Sequence, residues 1–179
     1  MVMQYISDAL VVIEISDALG SDAALVLAII LHAAVIGILL TISLIDARTS
    51  EIPNWLNVAL LGCGVVAVFA IPAVALVSRV IGLFCVSVPL LLINLIARDA
   101  FGGGDIKLMA AAGFLLGWQG ALLATCIGML IGGIYAAWLI VIERKGRKEH
   151  FPFGPALCMG IATALFFGTT LMDWYFLGS

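Results

Sequence analysis

The sequence predicts an all-α, polytopic membrane protein built as a bundle of six transmembrane helices. Three observations lead there. Of its 179 residues, 64% are hydrophobic and only 11% are charged, against about 25% charged in soluble domains. A chain this small leaves much of its surface exposed, so water cannot be the solvent for so apolar a composition. The apolar residues also fall into six runs broken by short polar segments. The period-2 alternation of a transmembrane barrel is missing, and backbone groups in lipid must be satisfied within their own helix.

The first run is 24–45, uncharged throughout. The second, 56–77, contains Pro72. The third is 80–97. The fourth, 108–117, spans only about 15 Å as a helix, so it is a short or tilted span or a half-helix feeding the next. The fifth is 121–142 and the sixth 155–177, interrupted only by Asp173. Gly117-Trp118-Gln119-Gly120 reads as a tight turn with Trp118 at an interface. Residues 1–23 form a separate segment, external or interfacial, and residues 24–179 the transmembrane domain. The first 22 residues carry four acids (Asp8, Glu14, Asp17, Asp22) and no Lys or Arg, unlike a secretory signal. A repeated Ile-Ser-Asp-Ala-Leu at 6–10 and 15–19 is short enough to be chance.

Charge sets the orientation. With the acidic N-terminus outside and six crossings, the inner loops are 46–54, 98–107 and 143–154. They hold Arg48, Arg98, Lys107, Arg144, Lys145, Arg147 and Lys148, seven of the eight basic residues, with only Arg79 outside. The positive-inside rule places these loops in the cytoplasm. A five-crossing alternative would send the basic 143–154 loop to the face opposite 46–54, so charge favours six.

Two acids stand at the inner ends of apolar runs: Asp46 in the segment 44–54 and Asp105 in 101–109. A carboxylate at mid-bilayer costs on the order of 2.5–3.5 kcal/mol and less at the interface. A boundary aspartate is therefore part-buried yet within reach of water. Two such carboxyls can hydrolyse a peptide bond without a metal: one draws a proton from water, the other polarises the carbonyl and protonates the leaving amine. Close approach disfavours joint ionisation, so the pair holds one proton between them. Gly102, Gly103 and Gly104 leave room for a sharp bend or a close approach before Asp105. The plainer reading is a hinge ahead of a helix capped by Asp105.

Gly102-Gly103-Gly104-Asp105 matches the GxGD motif of aspartic intramembrane-type peptidases. The run "FGGGDIKLMAAAG", 101–113, resembles the second-aspartate segment of type IV prepilin peptidases, "DARTSEIPN", 46–54, their first-aspartate segment, and "PFGPAL", 152–157, a stretch before their last helix. The resemblance covers the chain from about Ala24 onward and implies that Asp46 and Asp105 are the catalytic pair. It further implies a substrate prepilin with a basic leader and a hydrophobic helix, cut at a Gly junction on the cytoplasmic side of the inner membrane. Longer family members carry an N-terminal soluble insert with paired CxxC motifs, which binds zinc and accompanies N-methylation of the product. The sequence shows no such insert and resembles the short, peptidase-only form of tight-adherence (Flp-type) pilus systems.

No cofactor, metal or nucleic-acid partner is expected, and the oligomeric state is not legible. Gly102, Gly103, Gly104, Lys107, Glu51, Pro53 and Asn54 are candidates for shaping the site or contacting substrate. Lys107 biases the aspartates toward ionisation or, more simply, snorkels at the boundary. Glu51 meets the basic leader or is a solvated loop acid. Pro53 starts the second helix. Pro152, Gly154 and Pro155 shape the turn into the last helix. His32 is read as making an interhelical hydrogen bond, Asn94 as a candidate behind the aspartates, and Asp173 with Trp174, Tyr175 and Phe176 as an outer aromatic belt. Cys63, Cys85, Cys126 and Cys158 are small packing residues. Gly128, Gly132 and Gly133 with Ala124 and Ala136 form a small-residue packing face. Arg48 and 144–148 orient the chain and touch anionic lipid.

Three other functions compete with the peptidase. A small ion-coupled transporter needs acids or broken helices near mid-bilayer, whereas both aspartates sit at one edge. A non-catalytic subunit would bind pilin or the pilus-assembly machinery. A presenilin-like peptidase would share GxGD but not the other two segments.

Overall fold

The computed structural model describes residues 21–70, 74–96, 102–142 and 153–177, and among these every regular element is a helix. The helices are α1 (Ser21–Thr49), α2 (Asn54–Ala70), α3 (Leu76–Cys85), α4 (Ser87–Ile96), α5 (Gly103–Ile142) and α6 (Gly154–Leu177). The acidic segment 1–20, Arg98, and the basic residues 144–148 lie outside the described residues, as do the side chains of 173–176. Val26–Thr49, Leu76–Ile96 and Gly103–Trp138 are long and apolar enough to cross a membrane, while Asn54–Phe69 and Gly154–Gly168 are shorter apolar helices. Large apolar side chains point outward all round, among them Ile29, Leu40, Val58, Phe84, Leu95 and Ile134. Such a surface is solvated by lipid, not water, and the chain is a membrane protein.

Helix boundaries follow local chemistry. α1 ends where Ser50 adopts φ 52° and returns its N–H to Asp46 O at 2.8 Å, the left-handed stop that ends many helices. Arg48 in the last turn faces the negative end of the helix dipole. The apolar run 56–77 predicted one continuous helix, but Val74 and Ala75 are not helical and a new helix begins at Leu76. Hydropathy registers apolar length but not where the helical backbone is interrupted. The third predicted span begins earlier than its apolar run, at Leu76, and is jointed at Val86. Pro89 has no N–H to give the Cys85 carbonyl, so α3 stops there and α4 restarts.

α5 is a folded hairpin, not one long rod. Gly117 sits at φ 79°, ψ 173°, a region open only to glycine. The contacts on either side show a reversal. Asp105 lies within electrostatic reach of Asp46, Asp46 is bonded to Gly154, and the Phe153 ring lies over Gly132. Residues 105 and 132 therefore share one end of the bundle, although a straight helix would part them by about 40 Å. The predicted fourth span is thus an arm in its own right, 103–116, and the predicted tight turn is a single-residue break at Gly117.

Each arm packs on a neighbouring helix through small residues. Gly82 of α3 and Gly113 of α5 touch backbone to backbone, and Gly160 of α6 meets Ala124 and Gly128 of α5. In lipid such close approach substitutes for hydrophobic driving force. The expected small face holds at Ala124, Gly128 and Gly132, but Gly133 meets nothing within 4 Å. The core filling the centre includes Val35, Ile42, Leu60, Leu108, Met109 and Ile161.

The break at Gly117 would strand the last carbonyls of the first α5 arm in an apolar interior. Arg79, wholly buried, resolves this. Its guanidinium donates to Leu115 O at 2.6 Å and Phe114 O at 3.4 Å, to Ala67 O of α2 at 3.0 Å and to Val74 O at 3.2 Å. The sequence reading placed Arg79 as an outer-loop charge. It is instead an internal cap joining α2, α3 and α5, because its five donors match a cluster of orphan acceptors.

Candidate functional site

Asp46 lies in the last turn of α1 and Asp105 in the first turn of α5. Both are buried, at 5% and 8% exposure, at the same end of the bundle and within electrostatic reach of each other. Sequence separation alone could not establish this meeting. Each aspartate is held differently. The Gly154 N–H donates to Asp46 Oδ2 at 2.9 Å across 108 residues, so Asp46 fills the role of an N-terminal cap for α6 and faces the positive end of its dipole. A β-carbon on Gly154 would lie 2.6 Å from that oxygen and 2.8 Å from Cγ. Glycine is required here by contact. Pro155 follows at a position where a missing N–H costs nothing.

Asp105 does not cap its own helix, contrary to the plainer expectation. Gly102 O accepts from the N–H of Asp105 at 3.0 Å and of Ile106 at 3.4 Å, so the turn closes ahead of the aspartate and the carboxyl projects from the third helical position. The three glycines divide in role. At Gly104 a β-carbon would lie 2.8 Å from Ile52 Cβ, at Gly102 3.2 Å from Asp105 Oδ2, while Gly103 has open space. Gly104 thus allows the 50–53 loop to press on the start of α5. That loop leaves α1 through the left-handed Ser50, and Thr49 Oγ1 donates to Ile45 O at 2.9 Å.

Asn54 and Lys107 meet where α2 and α5 begin. Lys107 Nζ donates to Asn54 Oδ1 at 2.8 Å, on the exposed side, tying the start of α5 to the start of α2. Pro53 precedes α2, and its carbonyl accepts from Leu56 N at 3.1 Å. Glu51 is exposed. Asn94 is half-buried in α4. His32 belongs elsewhere: its Nδ1 pairs with Ala28 O of its own helix at 2.7 Å, and its ring meets Phe166 of α6 with centroids 6.0 Å apart. The expected interhelical hydrogen bond is an aromatic contact, since the adjacent turn offers the nearer acceptor. Pro152 lies outside the described residues.

Sequence reasoning missed two neighbours of the pair. Gly154 was read as turn-forming only. Cys158, one turn further along α6, is buried close enough to both aspartates to feel their charge. The other cysteines are thiols elsewhere, and Cys126 faces outward rather than packing inside. Among the described residues, no three His, Cys, Asp or Glu side chains cluster to hold a metal ion.

A helical membrane bundle with two buried, interacting carboxyls at one end defines the class: an integral membrane protein with a paired-aspartate site. Residues 33–137, more than half the chain, match the model of the type IV leader peptidase family, and the chain belongs to that family. It is similar to prepilin leader peptidase/N-methyltransferases of Legionella pneumophila (33% identical, covering 78% of this chain and 50% of that protein), Bacillus subtilis strain 168 (29%, 78% and 56%) and Burkholderia pseudomallei strain K96243 (35%, 73% and 44%). The chain spans about half the length of these curated relatives. No solved structure matches it.

Proposed function

We propose that this protein is a membrane-embedded aspartic endopeptidase that removes the leader of type IV-like prepilins at the cytoplasmic face of the inner membrane. The observation that carries the reading is that two buried aspartates, Asp46 and Asp105, converge at one end of the bundle within electrostatic reach of each other in a chain of the leader peptidase family. Both sit where the apolar runs end, and the basic residues of the inner loops support a cytoplasm-facing site with six crossings and the N-terminus outside.

The chemistry follows from how each carboxyl is held. The Gly154 N–H and the α6 dipole favour negative charge on Asp46, so Asp46 serves as the base that takes a proton from water. Asp105 keeps the proton that the pair shares, polarises the scissile carbonyl, and passes that proton to the leaving amine. Water attacks the carbonyl carbon, the C–N bond breaks, and the proton taken by Asp46 resets the pair. Gly102 to Gly104, Glu51, Pro53, Asn54 and Lys107 shape the entrance, where a basic leader crosses the loops while the pilin's apolar helix lies against the bundle.

Cleavage of synthetic prepilin segments by the full-length protein in proteoliposomes tests this. The wild type is expected to cut, and Asp46→Asn and Asp105→Asn to lose at least about a thousand-fold, since each removes one half of an acid–base pair worth 10²–10⁴ per group. A folded single variant that cuts at the wild-type rate would refute the mechanism.

A further inference from the structure

Asn57 sits in the first turns of α2, one turn inward from Asn54. It is 5% exposed, and neither its amide nitrogen nor its amide oxygen has a hydrogen-bond partner among the described residues. Buried side-chain amides are almost always satisfied, and an exception needs an explanation. The position of Asn57 supplies one. The buried stripe of α2 runs Asn57, Leu60, Gly64, Ala67, at helical spacing. Gly64 on that stripe presses on Phe114 and Leu115 of α5. The matching stripe of α5 runs back from Leu115 through Ala112 and Leu108 to Asp105. Asn54 and Lys107 join the two helices at the rim, in the same parallel register. Asn57 therefore faces the stripe that Asp105 heads, at about the depth of Leu108, one turn further into the apolar interior than the carboxyl.

Cleavage requires an extended substrate backbone at the scissile bond. The peptide units on the apolar side of that bond then have an N–H and a C=O without helical partners, in surroundings that offer no water. A primary amide presents one donor face and one acceptor face, the complement of a single peptide unit. The geometry points to Asn57 as a positioning residue. Its side-chain amide pairs with one peptide group of the substrate, on the hydrophobic-helix side of the bond that is cut. This rests on the peptidase reading above. It also accounts for the open valences of Asn57, which the bound substrate fills.

The test uses the full-length protein in proteoliposomes and a synthetic prepilin segment with a basic leader, a glycine junction and an apolar helix. Asn57→Leu keeps the side chain's branched shape and removes both polar atoms. It is expected to leave the melting temperature unchanged or raised, because an unsatisfied buried amide is removed, while KM rises about ten-fold or more. Asn57→Ser, which keeps one donor and one acceptor, recovers part of that loss. A scan of substrates carrying one backbone ester in place of an amide should find one position, beyond the cut, where wild type loses affinity and Asn57→Leu does not. This scan decides the matter even if the leucine variant folds poorly, since wild type alone must show the sensitive position. Wild-type KM and kcat in a folded Asn57→Leu variant would overturn the inference. So would a fall in kcat at constant KM, which would assign the amide to the attacking water. If wild type cuts no prepilin segment at all, the peptidase reading itself fails and this inference with it.

Discussion

Replacing Gly154 with alanine would drive a methyl group into the Asp46 carboxyl. The new carbon would start 2.6 Å from Oδ2, 2.8 Å from Cγ and 3.0 Å from Cβ of Asp46, so either the aspartate or the start of α6 must move. Movement breaks the 2.9 Å bond from the Gly154 N–H. A hydrogen bond to an ionised group contributes about 1.5–3 kcal/mol. If that energy holds the base in place, its loss lowers kcat about ten- to hundred-fold, at about 1.4 kcal/mol per factor of ten. The assay is single-turnover cleavage of a synthetic prepilin in proteoliposomes, with thermal unfolding followed in parallel. Gly133→Ala, in the second arm of α5, is the internal control, since a β-carbon there meets nothing within 4 Å. A Gly154→Ala protein that folds and cuts as fast as wild type would show that the bond to α6 does not orient the aspartate.

Three further outcomes test the supporting structure. Gly104→Ala, which sets a β-carbon 2.8 Å from Ile52 Cβ, should displace the loop ahead of α2 and cost roughly 1–3 kcal/mol of stability by overpacking, read as a lower melting temperature than Gly103→Ala. Arg79→Leu leaves the carbonyls of Ala67, Phe114 and Leu115 without their guanidinium partner. About 3 kcal/mol or more of stability should go with it, while Arg79→Lys, with fewer donors in a different geometry, recovers only part; unfolding in detergent measures both. Ser50→Gly relieves a serine held at φ 52° and should stabilise the protein by about 1 kcal/mol, seen as a raised melting temperature with cleavage unchanged.

The helices were largely legible because lipid leaves a chain few choices. Backbone polarity forces helices, and apolar length marks where they run. Their ends were less legible, because Pro89 and Gly117 act through backbone hydrogen bonding and geometry that hydropathy does not register. The two aspartates stood out because acids at the ends of apolar runs are costly and few. The way each is held did not stand out. The bond from Gly154 spans 108 residues, and nothing local in Phe-Gly-Pro marks its partner. Arg79 was misplaced by a charge-counting rule that treats every arginine as solvated. The sign available was Gly117, since a helix broken in an apolar interior needs a donor for its stranded carbonyls. Asn57 was legible in principle: it opens the stripe 57, 60, 64, 67 whose other members are apolar or small, and a lone amide there invites the question of its partner.

The meeting of Asp46 and Asp105 is the claim on which the rest turns, and cross-linking measures it without relying on activity. In a chain with Cys63, Cys85, Cys126 and Cys158 replaced by alanine, the D46C and D105C substitutions are introduced together with a protease site between them, and a short thiol–thiol cross-linker is added to intact membranes. The account predicts that the two fragments remain joined after proteolysis, and that either substitution alone lets them separate. Fragments that part in the double variant, with both thiols shown to be reactive, would place the two positions apart and contradict it.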